Sequence, residues 1–499
     1  MGSTTLTAAA QTPGSGGGGG GTNGTNGTNG TNGTNGTNGT NGFTWTSGSG
    51  VPSNAVGVNG DYYFRTDTSD VYLKAAGDYS IIANIKGANG ILSEPLAPTI
   101  RPSLLLDFAN AKSLDPRITF TRASTATRVN EKGLIEVVAS GKPRFDHDTA
   151  TGECKGLLIE EQRVNLLTYS ERFDNATWAK TNSTVTSNAA IAPDGTMTAD
   201  KLVENTATSE HMVDQVYTVT SGVTYTMSVC AKYDNSKYLR LRVAISAADS
   251  AVFVNLQTGQ LISSAFPMSN IMITPLPSGW YRVSGTFIAT ATGNIVFRCQ
   301  LAGNGASPGS IYTGDGTSGV FIWGAQLEEG SFATSYIPTV ASQVTRIADN
   351  AQITGTNFSS WYRQDEGSLL SIVNQLSVVS TRPIIRIYDN TANEVIGLRG
   401  NTTNPEFLII DNGTTVAQID AGTIAANSKY ALSAAYKLND CAASEDGLAV
   451  VVDTSATMPT VTQALIGFDG TNYFNGHISK LAYFPKRLSN LELQTLSTQ

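Results

Sequence analysis

The chain is short of the side chains that carry most enzyme chemistry. Its 499 residues include three histidines and four cysteines. His147, His211 and His477 lie far apart, with no second histidine spaced for a metal. His147 sits between Asp146 and Asp148, which reads as a hairpin surface ahead of a metal or acid–base site. Cys154, Cys230, Cys299 and Cys441 are too scattered for a disulfide framework or a zinc spacing, so free buried thiols are expected. No Gly-X-Ser-X-Gly elbow, Walker loop or His-Glu-X-X-His string occurs. The pairs Glu160-Glu161 and Glu328-Glu329 point to opposite faces of an extended strand. They cannot jointly flank one bond as a glycosidase pair must. No coil-length repeat marks a parallel β-helix. The expectation is a protein that is not an enzyme.

Charge is scarce as well. Asp, Glu, Lys and Arg make up 14% of the chain and the net charge is -8. Without a basic stripe there is nothing to release counterions from a phosphate backbone, so nucleic acid is not an expected partner. No apolar run is long enough for a membrane span, so membrane insertion is not expected either. Helical periodicity is nearly absent. Only Ser489 to Leu496 reads as a helix, with Ser489 as N-cap and Glu492 three residues on.

Against these absences stands a run of Gly-Thr-Asn triplets from Gly21 to Gly42. It has no charge and no apolar side chain, so it has no core to bury. Glycine at every third position suits three wound polyproline-II strands, because only glycine fits at the crowded axis. Proline normally accompanies that period and is missing here. The tract therefore reads either as an ordered trimeric stalk or as a flexible polar linker behind Gly16–Gly21. An ordered tract would span about 60 Å at the polyproline-II rise and would predict a trimer.

The rest reads as all-β. Residues 1–42 form an attachment peptide and the triplet stalk or linker. Residues 43–103 form a small β bead, with two strands around a Thr-Asp-Thr-Ser turn, and a linker marked by Pro95, Pro98 and Pro102. A bead this small is marginal alone, so three packed copies are expected. Residues 104–164 read as a β-hairpin connector. Strands with regular turn signals then fill 165–349 and 350–499, a pattern for two sandwich or jelly-roll domains.

Several strings resemble known proteins. The bead, Gly60-Asp-Tyr-Tyr-Phe with Val71-Tyr72, resembles small modules of bacteriophage tail fibres. Phe120-Thr-Arg-Ala-Ser-Thr-Ala-Thr-Arg128, Gly156-Leu-Leu-Ile-Glu-Glu-Gln-Arg-Val-Asn-Leu-Leu167 and Trp323-Gly-Ala-Gln-Leu-Glu-Glu-Gly are similar to tail-fibre and prophage structural proteins. Trp178, Asp194-Gly195 and Gly279-Trp-Tyr-Arg-Val283 make 165–349 resemble a carbohydrate-binding-module jelly roll. The ending Gly476-His-Ile-Ser-Lys-Leu-Ala-Tyr-Phe resembles a concanavalin-like (laminin-G-like) lectin domain. The resemblance implies a virion fibre or adhesin whose sandwiches bind host cell-surface glycans.

Strand parity supplies candidate sugar contacts. In the run from Lys237 to Ser246, Leu239, Leu241, Val243 and Ile245 face the core, so Tyr238, Arg240 and Arg242 share the other face. In the run from Asn294 to Leu301 the same parity puts Arg298 and Gln300 outward. Neighbouring strands would make a cleft of three arginines, an amide and a tyrosine, suited to an acidic glycan, or else an ordinary solvated sheet face. In the last domain, Arg386 and Tyr388 share a face, and Asn472 and Tyr473 sit on a polar loop, lectin rim or routine turn. Trp178, Trp280 and Trp323 read as core. The jelly-roll resemblance implies a structural calcium, for which Glu171, Asp174, Asp194 and Glu328 are the matching positions.

The first eleven residues have no basic n-region or apolar h-region. The expectation is a chain made in the host cytoplasm, released by lysis and carried on the virion. Its N-terminus would meet other virion proteins and the chain would be a homotrimer. The expected function is a tail fibre or receptor-binding protein. The alternative is a capsid-decorating or head fibre with a structural or weakly adhesive role, and a depolymerase is a weaker third reading.

Overall fold

The computed structural model describes residues 43–84, 100–245, 248–265, 268–303, 310–378 and 380–498. The triplet tract, the attachment peptide and the linker at 85–99 lie outside the described residues. The chain divides into two units, Met1–Leu92 and Ser93–Gln499.

The first unit is one four-stranded sheet. Trp45–Gly48 pairs in parallel with Tyr62–Arg65, which pairs antiparallel with Asp70–Ala75, and Asp78–Asn84 closes the order. Its small core is organised around a buried cation. Lys74 Nζ donates to the carbonyl oxygens of Asn54, Val56 and Gly57 at 2.8, 2.7 and 2.9 Å. Trp45 stacks on Tyr62 with ring centroids 4.7 Å apart. Trp45, Ile81 and Ile82 remain exposed.

The second unit contains two β-sandwiches, one inserted into the other. The outer sandwich packs an eight-stranded sheet on a seven-stranded one. Its central strand Gly476–Phe484 pairs with Glu366–Gln375 on one side. On the other side it pairs with Cys154–Ile159 and Leu104–Asp107. In the opposite sheet Asn350–Ile353 pairs with Thr119–Thr121 and with Gln463–Ile466. The stretch expected as a connector thus supplies Leu104–Asp107, Thr119–Thr121, Phe145–His147 and Cys154–Ile159 to this sandwich. The reason is burial. Leu104, Leu106, Phe145, Leu157 and Ile159 sit in one core with Ile385, Phe407, Tyr436 and Ile478.

The inner sandwich packs two six-stranded sheets. One runs Ala179–Thr181, Met212–Val219, Gly293–Ala302, Tyr238–Ile245, Ala248–Asn255, Gln260–Ala265. The other centres on Gly319–Glu329 and Thr224–Tyr233. Leu239, Leu241, Val243, Ile295, Phe297 and Leu301 are fully buried between them. Trp178, Trp280 and Trp323 are buried, and each indole N–H is satisfied: by Tyr169 O at 3.0 Å, Ile191 O at 3.0 Å and Thr198 Oγ1 at 3.2 Å. All four cysteines are free, and burial pushes the Cys230 thiol up to about 12.

The chain enters and leaves the inner sandwich through a two-stranded neck, Arg163–Asn165 against Val344–Arg346. Beside it lies a buried ion cluster. Arg122 meets Asp349 at 3.0 Å, and Arg144 bonds both Asp349 and, at 2.7 Å, Glu160. Arg346 meets Glu160 at 2.7 Å. Ser335, from the inner sandwich, donates its N–H and its hydroxyl to Glu160 at 2.8 and 2.7 Å. Burial alone would raise the Glu160 pKa, but Arg346, Arg144 and Ser335 outweigh it and hold the carboxyl well below its usual range.

Candidate functional site

Cross-strand pairing brings the expected arginine face together. Tyr238–Ile245 runs antiparallel beside Gly293–Ala302, with Arg240 opposite Gln300 and Arg242 opposite Arg298. Tyr238 lies at the end of the row, its ring 5.7 Å from that of Phe253. The pairing also adds residues that parity along one strand cannot reveal. Met212–Val219 flanks the other edge and puts Asp214 opposite Arg298. Asp214 takes the Arg298 fork with both oxygens, each at 2.8 Å. Arg242 lies 3.5 Å from Glu210 and 3.5 Å from Gln300 Oε1. Gln300 is 0% exposed, so it supports the arginines from below. Arg240, Arg242 and Arg298 thus share one face, with the carboxylates of Glu210 and Asp214 beside them. A depression of about 490 Å³ borders it, lined by Asp214, Val216, Tyr217 and Val296.

The second expected cluster lies on the seven-stranded sheet. The Arg386 guanidinium sits over the Tyr388 ring, 4.7 Å from its centroid. It donates to the carbonyl oxygens of Asp469 and Thr391. Beside it is a groove of about 180 Å³ lined by Pro383, Gly397, Leu408, Ile410 and Arg399. Arg399 is paired with Glu406 at 2.7 Å.

The loop 469–475 is built as a turn. Asp469 Oδ1 accepts from the N–H groups of Thr471 and Asn472, and Asp469 Oδ2 accepts from the Asn472 amide at 3.1 Å. Tyr473 stacks on Phe468, and its hydroxyl donates to Asn350 Oδ1 at 3.1 Å. Asn472 and Tyr473 are thus both fixed within the loop and half-exposed on it.

The four acidic residues expected to hold calcium are not assembled into one site. Glu328 is buried, and its oxygens accept from Gln326 Nε2, Thr334 N and Thr334 Oγ1 at 2.8, 2.9 and 2.7 Å. Asp194 is taken by Thr196. Glu171 accepts from the Tyr336 hydroxyl at 3.0 Å, and burial, with Asp194 nearby, raises its pKa. Near Asp174 a cation is already built in. Lys180 Nζ donates to the carbonyls of Asp174 and Asn175 at 2.9 and 2.6 Å. Among the described residues no three His, Cys, Asp or Glu side chains are placed to hold a metal.

One group escaped the sequence reading. A cleft between the sandwiches, about 220 Å³, is lined by both His147 and His477, which are 330 residues apart in the chain (477 − 147). The hairpin reading of His147 as a surface residue is corrected here: it is 4% exposed and His477 is 5% exposed. Phe145–His147 and Gly476–Phe484 both pair with Cys154–Ile159, which brings the two rings into one neighbourhood. No spacing rule along the sequence could have joined them.

No family model matches this chain, and no curated protein matches it. Among solved structures it is similar to the Ruminococcus gnavus IT-sialidase CBM40 bound to alpha2,3 sialyllactose. That likeness has 10% identity over 27% of this chain and 84% of that one, with a TM-score of 0.25. Trypanosoma rangeli sialidase is similar at 9% identity over 64% of this chain and 62% of that one, with a TM-score of 0.24. The LG1-3 region of the laminin alpha2 chain is similar at 8% identity over 56% and 66%, with a TM-score of 0.22. At scores this low the likenesses say nothing about this chain's ligand. Its class, an all-β protein of nested sandwiches, stands on its own strand pairing.

Proposed function

We propose that this protein is a virion fibre, a phage tail fibre or receptor-binding protein, that adheres to host cell-surface glycans through its β-sandwiches without catalysis. The observation that carries the reading is the arginine face, where Tyr238, Arg240, Arg242, Arg298 and Gln300 meet in cross-strand register. Guanidinium forks beside a surface depression suit the carboxylate of an acidic glycan. The N-terminal segment joins other virion proteins, and three chains associate so that weak sites act together.

Three measurements test this. Antibody labelling of particles in the electron microscope should decorate the tail, whereas label on the capsid would move the protein to head-fibre decoration. Adhesion of the purified chain to host cells should be lost after periodate oxidation of surface sugars, and adhesion that survives would remove glycans as the receptor. Light scattering should give three times the chain mass of 52.4 kDa, and a monomeric mass would refute the trimer.

A further inference from the structure

The cleft between the sandwiches holds two histidines with unused capacity. Each ring is anchored through one nitrogen. His147 Nδ1 lies 3.1 Å from the Val129 carbonyl oxygen, which can only accept, so Nδ1 carries the proton. His477 Nε2 lies 2.8 Å from Asp146 Oδ2, so there Nε2 carries it. In the neutral rings His147 Nε2 and His477 Nδ1 are then bare acceptors. Both are buried, and among the described residues neither has a protein hydrogen-bond partner. A buried polar atom without a partner destabilises the fold, so two beside one cleft are a standing cost that a ligand could relieve.

The surroundings narrow the ligand. The charged groups that line the cleft are engaged within the fold: Arg128 by Glu136, Lys155 by Asp148 at 3.4 Å, and Glu160 by Arg144 and Arg346. Arg282 donates to Thr334 O at 2.7 Å and to Ser228 Oγ at 3.0 Å. Imidazole acceptors on two residues that line the cleft disfavour a carboxylate and favour hydroxyl donors. The remaining wall is largely apolar, with Ile135, Leu158, Leu276 and Phe332, as the C–H face of a sugar ring requires. Two contacts span the cleft. Thr149 Oγ1 donates to Pro275 O at 2.7 Å, and the Asn427 amide reaches Met272 Sδ at 3.5 Å.

We propose that this cleft binds a neutral sugar residue, whose hydroxyl groups donate to His147 Nε2 and His477 Nδ1. The proposal rests on the glycan-binding reading and adds to it a second site, chemically distinct from the arginine face.

The test is saturation-transfer NMR on the intact chain with galactose, glucose, mannose and N-acetylglucosamine. Two variants accompany it: His147→Gln, and Thr274→Trp, which fills the cleft and leaves both rings in place. Thermal unfolding confirms that each folds. At least one sugar should bind, and affinity should fall at least tenfold in both variants. Sugar binding that persists in both variants overturns the cleft and leaves glycan binding standing elsewhere. No signal from any sugar, while the chain still binds a glycan array, also overturns the cleft alone. Tight binding of zinc that His147→Gln abolishes overturns the sugar assignment in favour of a metal. Failure on sugars and array together overturns the parent reading as well.

Discussion

Glu160 shows how one side chain can decide the stability of this molecule. It is enclosed by Arg144, Arg346 and Ser335 and is almost without solvent. Glu160→Gln leaves two buried guanidinium groups short of a counter-charge, a change expected to cost about 3–5 kcal/mol. Denaturant unfolding checks it. The pH dependence has a definite sign. The folded carboxyl titrates below an unfolded value of about 4.3, so its stabilisation is complete above that value and drains away as pH falls below it. The wild-type melting temperature should fall below about pH 4, and Glu160→Gln should flatten that slope. A second residue-scale prediction concerns Asp214. It occupies the Arg298 fork, so Asp214→Asn should raise affinity for acidic glycans. Unchanged affinity on the array would place the acidic site off this face.

At the scale of elements, strand parity was legible because its period is two and one face is dry. Leu239, Leu241 and Val243 are fully buried, and Arg240 and Arg242 lie on the other face. The short helix was legible because its cap is local. Asn490–Leu496 begins at Ser489 with a reciprocal bond to Glu492, and Leu493 packs beneath it. Ser489→Ala should cost about 1 kcal/mol, read from the shift in denaturation midpoint. Cross-strand neighbours were not legible. Asp214 opposite Arg298, and His477 beside Asp146, are set by pairings between segments far apart in sequence. The calcium set failed for a related reason, since Asp194 and Glu328 are taken by local hydroxyl donors and the Lys180 ammonium sits on the backbone carbonyl of Asp174.

At the scale of the whole molecule, the insertion changes what counts as a folding unit. Residues 350–499 look like a closed lectin domain in sequence. Yet Gly476–Phe484 is flanked by Cys154–Ile159 and Leu104–Asp107, and Asn350–Ile353 by Thr119–Thr121. A fragment beginning at residue 350 would expose both sheet edges and part of the core. It should remain unfolded by circular dichroism and proteolysis, whereas one beginning at residue 100 should fold. A stable 350–499 fragment would contradict the nested architecture. The strings 120–128 and 156–167 gain a physical role here. Arg122, Glu160, Glu161 and Arg163 all lie in them, and they cluster at or near the neck where the two sandwiches join. The neck was invisible in sequence because its partners come from opposite ends of the insertion.

Binding to glycans is the central claim, and an array of acidic and neutral glycans probed with the intact chain tests it most directly. An Arg240→Ala/Arg298→Ala double variant should be run beside it. The account predicts that the wild type binds acidic glycans and that the double variant loses them. Absence of binding to every glycan, including extracts of candidate host surfaces, would contradict it.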